Sequence, residues 1–200
     1  MAITKATIMA DAIARTNRTE VISIDTFLKA ILYDISTRGP FLEKTGSVTV
    51  LINTSSIALP TDFRSILSVI DASDNVLTPI PSLPVYLALV DNSSATGTPI
   101  QYIIFNEKIY VYPKAVAAAI LTLWYRYYAN DVNAIALPDH FQEAITEGVC
   151  WKIYEAVGEG ATNGAVHQAN YNAELAKLTI RYAQYRNNHA GVMEPANLPG

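Results

Sequence analysis

The sequence predicts an α+β protein: a helical bundle of two N-terminal and two C-terminal helices, with an inserted antiparallel β-sandwich or barrel-like domain. Three observations predict it. Apolar residues recur at helical spacing at both ends of the chain, and between them the period drops to two. Within that middle region, Gly97 to Tyr128 reads as a strand, a tight turn at Asn106-Glu107, a strand stopped by Pro113, and a third, long strand. The implied boundaries are 1–45 for the first helix pair, 46–133 for the β insertion, 134–188 for the second helix pair and 189–200 for an extended tail.

The first helix, Ala2 to Thr16, places Ile3, Ala6, Ala10 and Ile13 on one stripe and leaves Lys5, Asp11 and Arg15 to face outward. The second carries Phe27, Leu28, Ile31, Leu32 and Ile35, with Asp25 as its expected N-cap and Gly39-Pro40 ending it. After Gly46, Val48, Val50 and Ile52 alternate with Ser47, Thr49 and Leu51, a β-branched strand pattern. Leu59 to Arg64 is a corner leading into a strand over Ser65 to Ile70, and Val76 to Ile80 is a short strand. Pro84 to Val90 fits either a short helix or a strand, and Asp91 to Thr98 reads as polar loop. In the hairpin, Tyr102 and Ile104 face one way and Ile103 and Phe105 the other; Asn-Glu leaves the turn type open. Ala115 to Ala119 has helical composition, but the alternation of Leu121, Leu123, Tyr125 and Tyr127 favours a strand from Ala117 to Tyr128.

Pro138, Asp139 and Glu143 mark the start of the third helix, which becomes apolar nearly all round from Gly148 and breaks at Gly158-Glu159-Gly160. The fourth, Asn163 to Asn188, has two apolar stripes. One is Tyr171, Leu175, Leu178, Tyr182 and Tyr185; the other is Val166, Ala173, Ala176, Ile180 and Ala183. Such a wide face predicts two separate contacts.

Composition narrows the function. Half the 200 residues are apolar and only 16% are charged, so the chain can build a substantial core. A net charge of −4 argues against a general nucleic-acid binder, though it suits a surface that DNA slides past. The single cysteine, Cys150, allows neither an internal disulfide nor a multi-cysteine zinc site. Met1 to Arg18 lacks the basic head and apolar run of a signal peptide, and no apolar run approaches the roughly 20 residues that span a bilayer. A soluble product of a cytoplasm is expected.

Chemical motifs are thin. His140, Glu143 and Glu147 share a helical face, and His167 and Glu174 are their possible partners for a metal; a solvated helix start is the commoner explanation of such a pattern. Gly158, Gly160 and Gly164 join two helices instead of following a strand, which is the wrong context for a phosphate loop. No Gly-x-Ser-x-Gly elbow occurs, and Cys150 sits mid-helix among apolar residues. Twelve tyrosines and two tryptophans suit core and protein interface more than carbohydrate stacking, for which Trp124 and Tyr127 would be the platforms. No enzyme activity and no cofactor are predicted.

The order of short motifs is informative. Leu59-Pro60-x-Asp62-Phe63-Arg64 precedes Gly97-x-Pro99-x-x-Tyr102, Tyr112-Pro113, Tyr125-x-Tyr127 and Leu137-Pro138, followed by Phe141-x-x-Ala144-Ile145-x-x-Gly148-Val149 and a helix opening near Tyr171. Over nearly its whole length the chain resembles the head-to-tail adaptor (connector) proteins of tailed bacteriophages. The resemblance implies a structural virion protein made in the host bacterial cytoplasm: a ring, commonly of twelve copies, between the portal protein and the tail, nozzle or tail-terminator protein. Double-stranded DNA would pass through its lumen without specific binding, and no membrane would be involved. The bundle would face the portal and the β insertion the tail. The surfaces expected to meet the portal or a neighbouring subunit are Tyr171, Leu175, Tyr182 and Tyr185 on the last helix, and Val192, Met193 and Leu198 in the tail. A tail-completion or stopper protein and a carbohydrate-binding module are the alternatives.

Overall fold

The computed structural model describes residues 3–19, 24–39, 42–92, 95–129, 131–135 and 137–188. The fold is mixed α and β, with five α-helices and several sheets among the described residues, and it divides into two compact units. One draws on Met1–Leu42 and Tyr128–Gly200, the other on Glu43–Tyr127.

In the helical unit α1 spans Lys5–Thr16 and α2 Ile24–Arg38. Thr4 caps α1 through its hydroxyl, which accepts from the Thr7 N–H at 3.1 Å; Asn17 closes the helix in the left-handed region at φ 51°. The buried stripe of α1 is Ile8, Ala12 and Thr16, whereas the expected Ala6 and Ala10 are exposed. Asp11 and Arg15, expected in solvent, instead bond to the helix that begins at Gln142: the Gln142 side-chain amide donates to Asp11 at 3.0 Å. Asp25 lies inside the first turn of α2 and pairs with Lys5 at 2.5 Å, so it is not the N-cap. Leu28, Ile31, Leu32 and Ile35 of α2 are buried as their spacing predicts.

The β unit opens with β1, Glu43–Val50, which starts before the expected Gly46 and ends before Leu51 and Ile52. It continues through β2 (Ser56–Ala58), β3 (Phe63–Asp71), β4 (Thr78–Pro79), helix α3 (Leu83–Asn92), β5 (Thr96–Gly97), β6 (Gln101–Phe105), β7 (Lys108–Tyr112), β8 (Lys114–Ala115) and β9 (Ala119–Tyr127). Pro84 to Val90 is therefore helical, and the helix takes in Asp91 and Asn92 that read as loop. Strand order is β1-β9-β3 in one sheet, β2-β7-β6-β4 in a second and β5-β8 in a third. The sheets are not wholly antiparallel, because β4 with β6 and β5 with β8 pair parallel.

The β6-β7 turn places both Asn106 (φ 47°) and Glu107 (φ 58°) in the left-handed region, the signature of a type I′ turn. The long third strand of the Gly97–Tyr128 stretch, β9, does not extend this hairpin. It crosses to the other sheet and lies between β1 and β3. Val50, Val69, Leu121, Leu123 and Tyr125 from that sheet and Tyr102, Ile109 and Val111 from the hairpin's sheet join in one buried cluster.

The chain then re-enters the helical unit. A 3-10 turn at Asp139–Phe141 leads into α4 (Gln142–Ala156), and a π-helical turn at Gly160–Gly164 leads into α5 (Ala165–Asn188). Between them Gly158 adopts φ 80°, a backbone that other residues rarely take. α4 packs against α1, α2 and α5, and Ala144 through Cys150 are all buried. Its Gly148 lets α2 come close: a Cβ there would lie 2.8 Å from Ile31 Cδ1. No helix among the described residues is long and apolar enough to cross a membrane.

Candidate functional site

The densest polar chemistry lies in the helical unit. A four-residue step puts Glu143 and Glu147 one turn apart on α4, and Arg15 of α1 reaches both. Its guanidinium donates to Glu143 Oε1 at 2.7 Å and Oε2 at 2.8 Å, a bidentate fork, and also to Glu147 Oε1. The second Glu147 oxygen sits 2.8 Å from His167 Nδ1 and accepts from the Asn170 amide at 3.2 Å. The His167 ring stacks on Tyr154 with centroids 5.4 Å apart. The Arg15 hydrogen bond holds the Glu143 carboxyl below its ordinary range, and that bond also raises the Arg15 guanidinium. Burial, helped by the Glu147 charge, pushes the Cys150 thiol up to about 12, so it stays protonated and unreactive.

Of the residues weighed for a metal, Glu147 and His167 do meet, but a guanidinium is seated between Glu143 and Glu147 where a cation would have to go. The His140 ring meets Phe141 at 4.9 Å, tilted by 36°, and burial lowers its pKa; Glu174 pairs with Lys177. Among the described residues, no group of three or more His, Cys, Asp or Glu side chains could hold a metal ion. The arrangement locks three helices together.

Tyr171, Leu175 and Tyr182, expected at an interface, are buried within the single chain. The Tyr171 hydroxyl donates to Asp34 of α2 at 2.7 Å, and burial followed by that carboxylate raises its pKa. These three side chains belong to the core of the helical unit. The side chain of Tyr185, and Val192, Met193 and Leu198, lie outside the described residues. What α5 does leave exposed is its second stripe, with Val166 61% and Ile180 59% exposed.

The β unit has two further apolar surfaces that sequence reasoning missed. Helix α3 buries Tyr86, whose ring meets Tyr110 of β7 at 5.6 Å, yet Val85, Leu87 and Val90 remain exposed. The signal was legible as an apolar run without a polar face. The second surface gathers Leu51 and Ile52 near Val116 and Ile120, where the Asn53 N–H donates to the Ala115 carbonyl at 2.9 Å. Val116 and Ile120 line an open groove of about 310 Å³ bounded by Asp71 and Gly97.

The Leu59–Arg64 corner is fastened from within. Lys44 pairs with Asp62 at 2.5 Å, the Tyr125 hydroxyl donates to Asp62 at 3.3 Å, and the Lys44 ammonium lies 4.9 Å over the Tyr127 ring. Burial works against the Lys44 charge, but the Asp62 bond and charge outweigh it and raise the pKa. A cation thus already covers the Tyr127 face that a sugar would need.

The sequence profile of the SU10 adaptor protein family matches residues 3–195. The chain belongs to that family. The SU10 adaptors are a phage head-to-tail adaptor family, structural and not enzymatic. As an SU10 adaptor the chain is a virion component that associates with other phage capsid or tail proteins. Among curated proteins none matches it.

Proposed function

We propose that this SU10 adaptor forms a ring of about twelve copies in the neck of a tailed-phage virion, between the portal and the tail, with double-stranded DNA passing through its lumen. The observation that carries this reading is apolar surface that one copy leaves uncovered: Val166 and Ile180 on α5, Leu87 on α3, and Ile120 at the start of β9. Side chains of this kind in a structural protein mark contacts with further chains. The net charge of −4 supports passage of DNA without grip, since phosphates are not attracted to an acidic wall. The helical unit faces the portal and the β unit the tail, and the segment from His189, through Val192, Met193 and Leu198, docks on the portal.

Mass measurement of the purified chain, alone and mixed with its portal, tests the ring. A species near twelve times the chain mass, alone or bound to portal, is expected. A chain that stays monomeric at micromolar concentration in both conditions overturns the reading. Removing residues 189–200 should abolish portal binding while leaving the thermal unfolding midpoint unchanged; full binding by the truncated chain refutes the docking role.

A further inference from the structure

Asn163-Gly164 is the one step in the sequence where glycine follows asparagine. With no side chain on the second residue, its backbone nitrogen can swing toward the asparagine side chain more freely than at any other Asn-X step. The reaction this allows is internal. The Gly164 nitrogen gives up its proton to solvent and attacks Asn163 Cγ; an N–Cγ bond forms, the Cγ–Nδ2 bond breaks and ammonia leaves. Water then opens the cyclic imide at either carbonyl, leaving aspartate or its β-linked isomer in place of Asn163. One water enters and one ammonia departs, so the step needs no oxidant and no co-reactant beyond solvent.

The fold opposes that attack through a single residue. Asn163 and Gly164 close the π-helical turn between the Gly158 break and α5. The leaving group is held, because Asn163 Nδ2 donates to Glu159 Oε2 at 2.9 Å. The nucleophile is held as well, because the Gly164 N–H donates to the Glu159 carbonyl at 3.1 Å. Glu159 is itself fastened: Arg18 donates to its other carboxylate oxygen, and the Thr162 hydroxyl donates to its carbonyl at 3.1 Å. The Asn163 bond keeps the Glu159 carboxyl below its ordinary range, so the acceptor is an anion at neutral pH. Gly164 is buried, and a Cβ there would lie 3.3 Å from the Tyr154 Cβ, whereas Asn163 is exposed to the water the second step consumes. Both reacting groups are thus tied to Glu159, and neither can reach the aligned arrangement that attack requires until the turn opens.

We infer that Asn163-Gly164 is a site of spontaneous deamidation and that Glu159, fastened by Arg18, is the clasp that sets its rate. The chain reacts only from the opened turn, so the rate follows how often that turn opens. The consequence is electrostatic. Deamidation replaces the amide donor at 163 by a carboxylate that faces Glu159 Oε2, and two like charges then meet where a hydrogen bond was. The clasp opens, and with it the tie between Arg18, just beyond α1, and the connection from α4 to α5. A virion component is not resynthesised after the particle is built, so this turn limits how long the helical unit keeps its full stability.

Peptide mass spectrometry of the full chain during incubation at mildly alkaline pH reads the conversion, and detection of β-linked aspartate confirms the imide route. The folded wild-type chain should convert Asn163 at least ~10-fold more slowly than the same chain unfolded in guanidinium chloride. Glu159→Ala should convert at least ~5-fold faster than wild type, and Arg18→Met, which leaves the Asn163–Glu159 bond in place, should fall between the two. Asn163→Asp, which installs the product's charge, should melt below wild type. Equal rates in wild type and both clasp variants would overturn the role of Glu159. Should circular dichroism show Glu159→Ala to be unfolded, Arg18→Met carries the test, and a wild-type rate in that variant overturns the clasp. No conversion at Asn163 in the unfolded chain, or earlier conversion at another asparagine of the folded chain, would overturn the site itself. An Asn163→Asp chain that melts with wild type would overturn the electrostatic consequence.

Discussion

Glu147 is the residue on which the helical unit turns. Its carboxylate is only 6% exposed, yet both oxygens are engaged, by Arg15 on one side and by His167 and Asn170 on the other. Removing one partner of such a cluster leaves a buried charge uncompensated, which costs more than the intact pair contributes. Arg15→Met should therefore destabilise the chain by about 2–3 kcal/mol at neutral pH, read by urea denaturation. The pH dependence has a definite sign. Glu143 has a folded-state pKa below its ordinary 4.5, so its pairing stabilises fully above that value and is lost as pH falls through the depressed one. The gap between wild type and Arg15→Met should accordingly narrow below about pH 4. Gly148 is a second single-atom constraint. An added Cβ would meet Ile31 at 2.8 Å from Cδ1 and 3.0 Å from Cγ2, both in a packed core. Gly148→Ala should cost about 1–3 kcal/mol despite its better helix propensity, and Ile31→Val in the same chain should recover part of that loss by removing Cδ1. Additive costs in the double-mutant cycle would show that the contact is not what limits this position.

At the scale of elements, the hairpin shows what local chemistry can and cannot set. Tyr102-Ile103-Ile104-Phe105 and Ile109-Tyr110-Val111 specify two strands by alternation, and the two-residue gap sets a primed turn. The chain holds Glu107 at φ 58° although a left-handed residue without glycine costs about 1–2 kcal/mol. Glu107→Gly should raise stability by about 0.5–1 kcal/mol once the greater freedom of glycine in the unfolded chain is deducted. Thermal melts of the two proteins check it; a lower midpoint would mean that Glu107 makes a stabilising contact through its side chain. Helices and hairpin were legible because their periods are local. The partner of β9 was not, because alternation says which residues face inward and nothing about which strand lies alongside. The stripe expected on the first helix was misread in part for a related reason, since Ile3 is buried but Ala6 and Ala10 are exposed. Ile3, Ala6, Ala10 and Ile13 are as good a stripe as Ile8, Ala12 and Thr16, and what decides between them is the distant pair Glu143 and Glu147, which draws Arg15 toward α4. On α5 two stripes were visible, and Asp34 decides which is core by receiving the Tyr171 hydroxyl. The surface that remains is the aliphatic one, Val166 and Ile180.

At the scale of the molecule, the insertion returns the chain to where it left. Glu43 at the start of β1 is paired in register with Arg126 near the end of β9, so the two ends of the β unit are neighbouring residues of an antiparallel ladder. Such partners lie about 5 Å apart between Cα atoms. The β unit also owns its core, which joins Val50, Val69, Ile109, Leu121 and Leu123, all of them fully buried. Among the described residues, nothing in that core is supplied from outside Glu43–Tyr127. Residues 43–127 expressed alone should therefore fold, with β-type circular dichroism and a cooperative urea transition of about 3–5 kcal/mol, the range open to a core of this size. Val85, Leu87 and Val90, exposed on α3, travel with the fragment, so the wild-type fragment should self-associate as its concentration rises, while the Val85→Glu, Leu87→Glu fragment should stay monomeric with the same transition. A fragment that unfolds gradually and binds a hydrophobic dye would show that the β unit borrows its order from the helices. A monomeric wild-type fragment with a sharp transition would instead keep the unit and remove α3 as its sticky face, so the two properties are tested separately in one experiment.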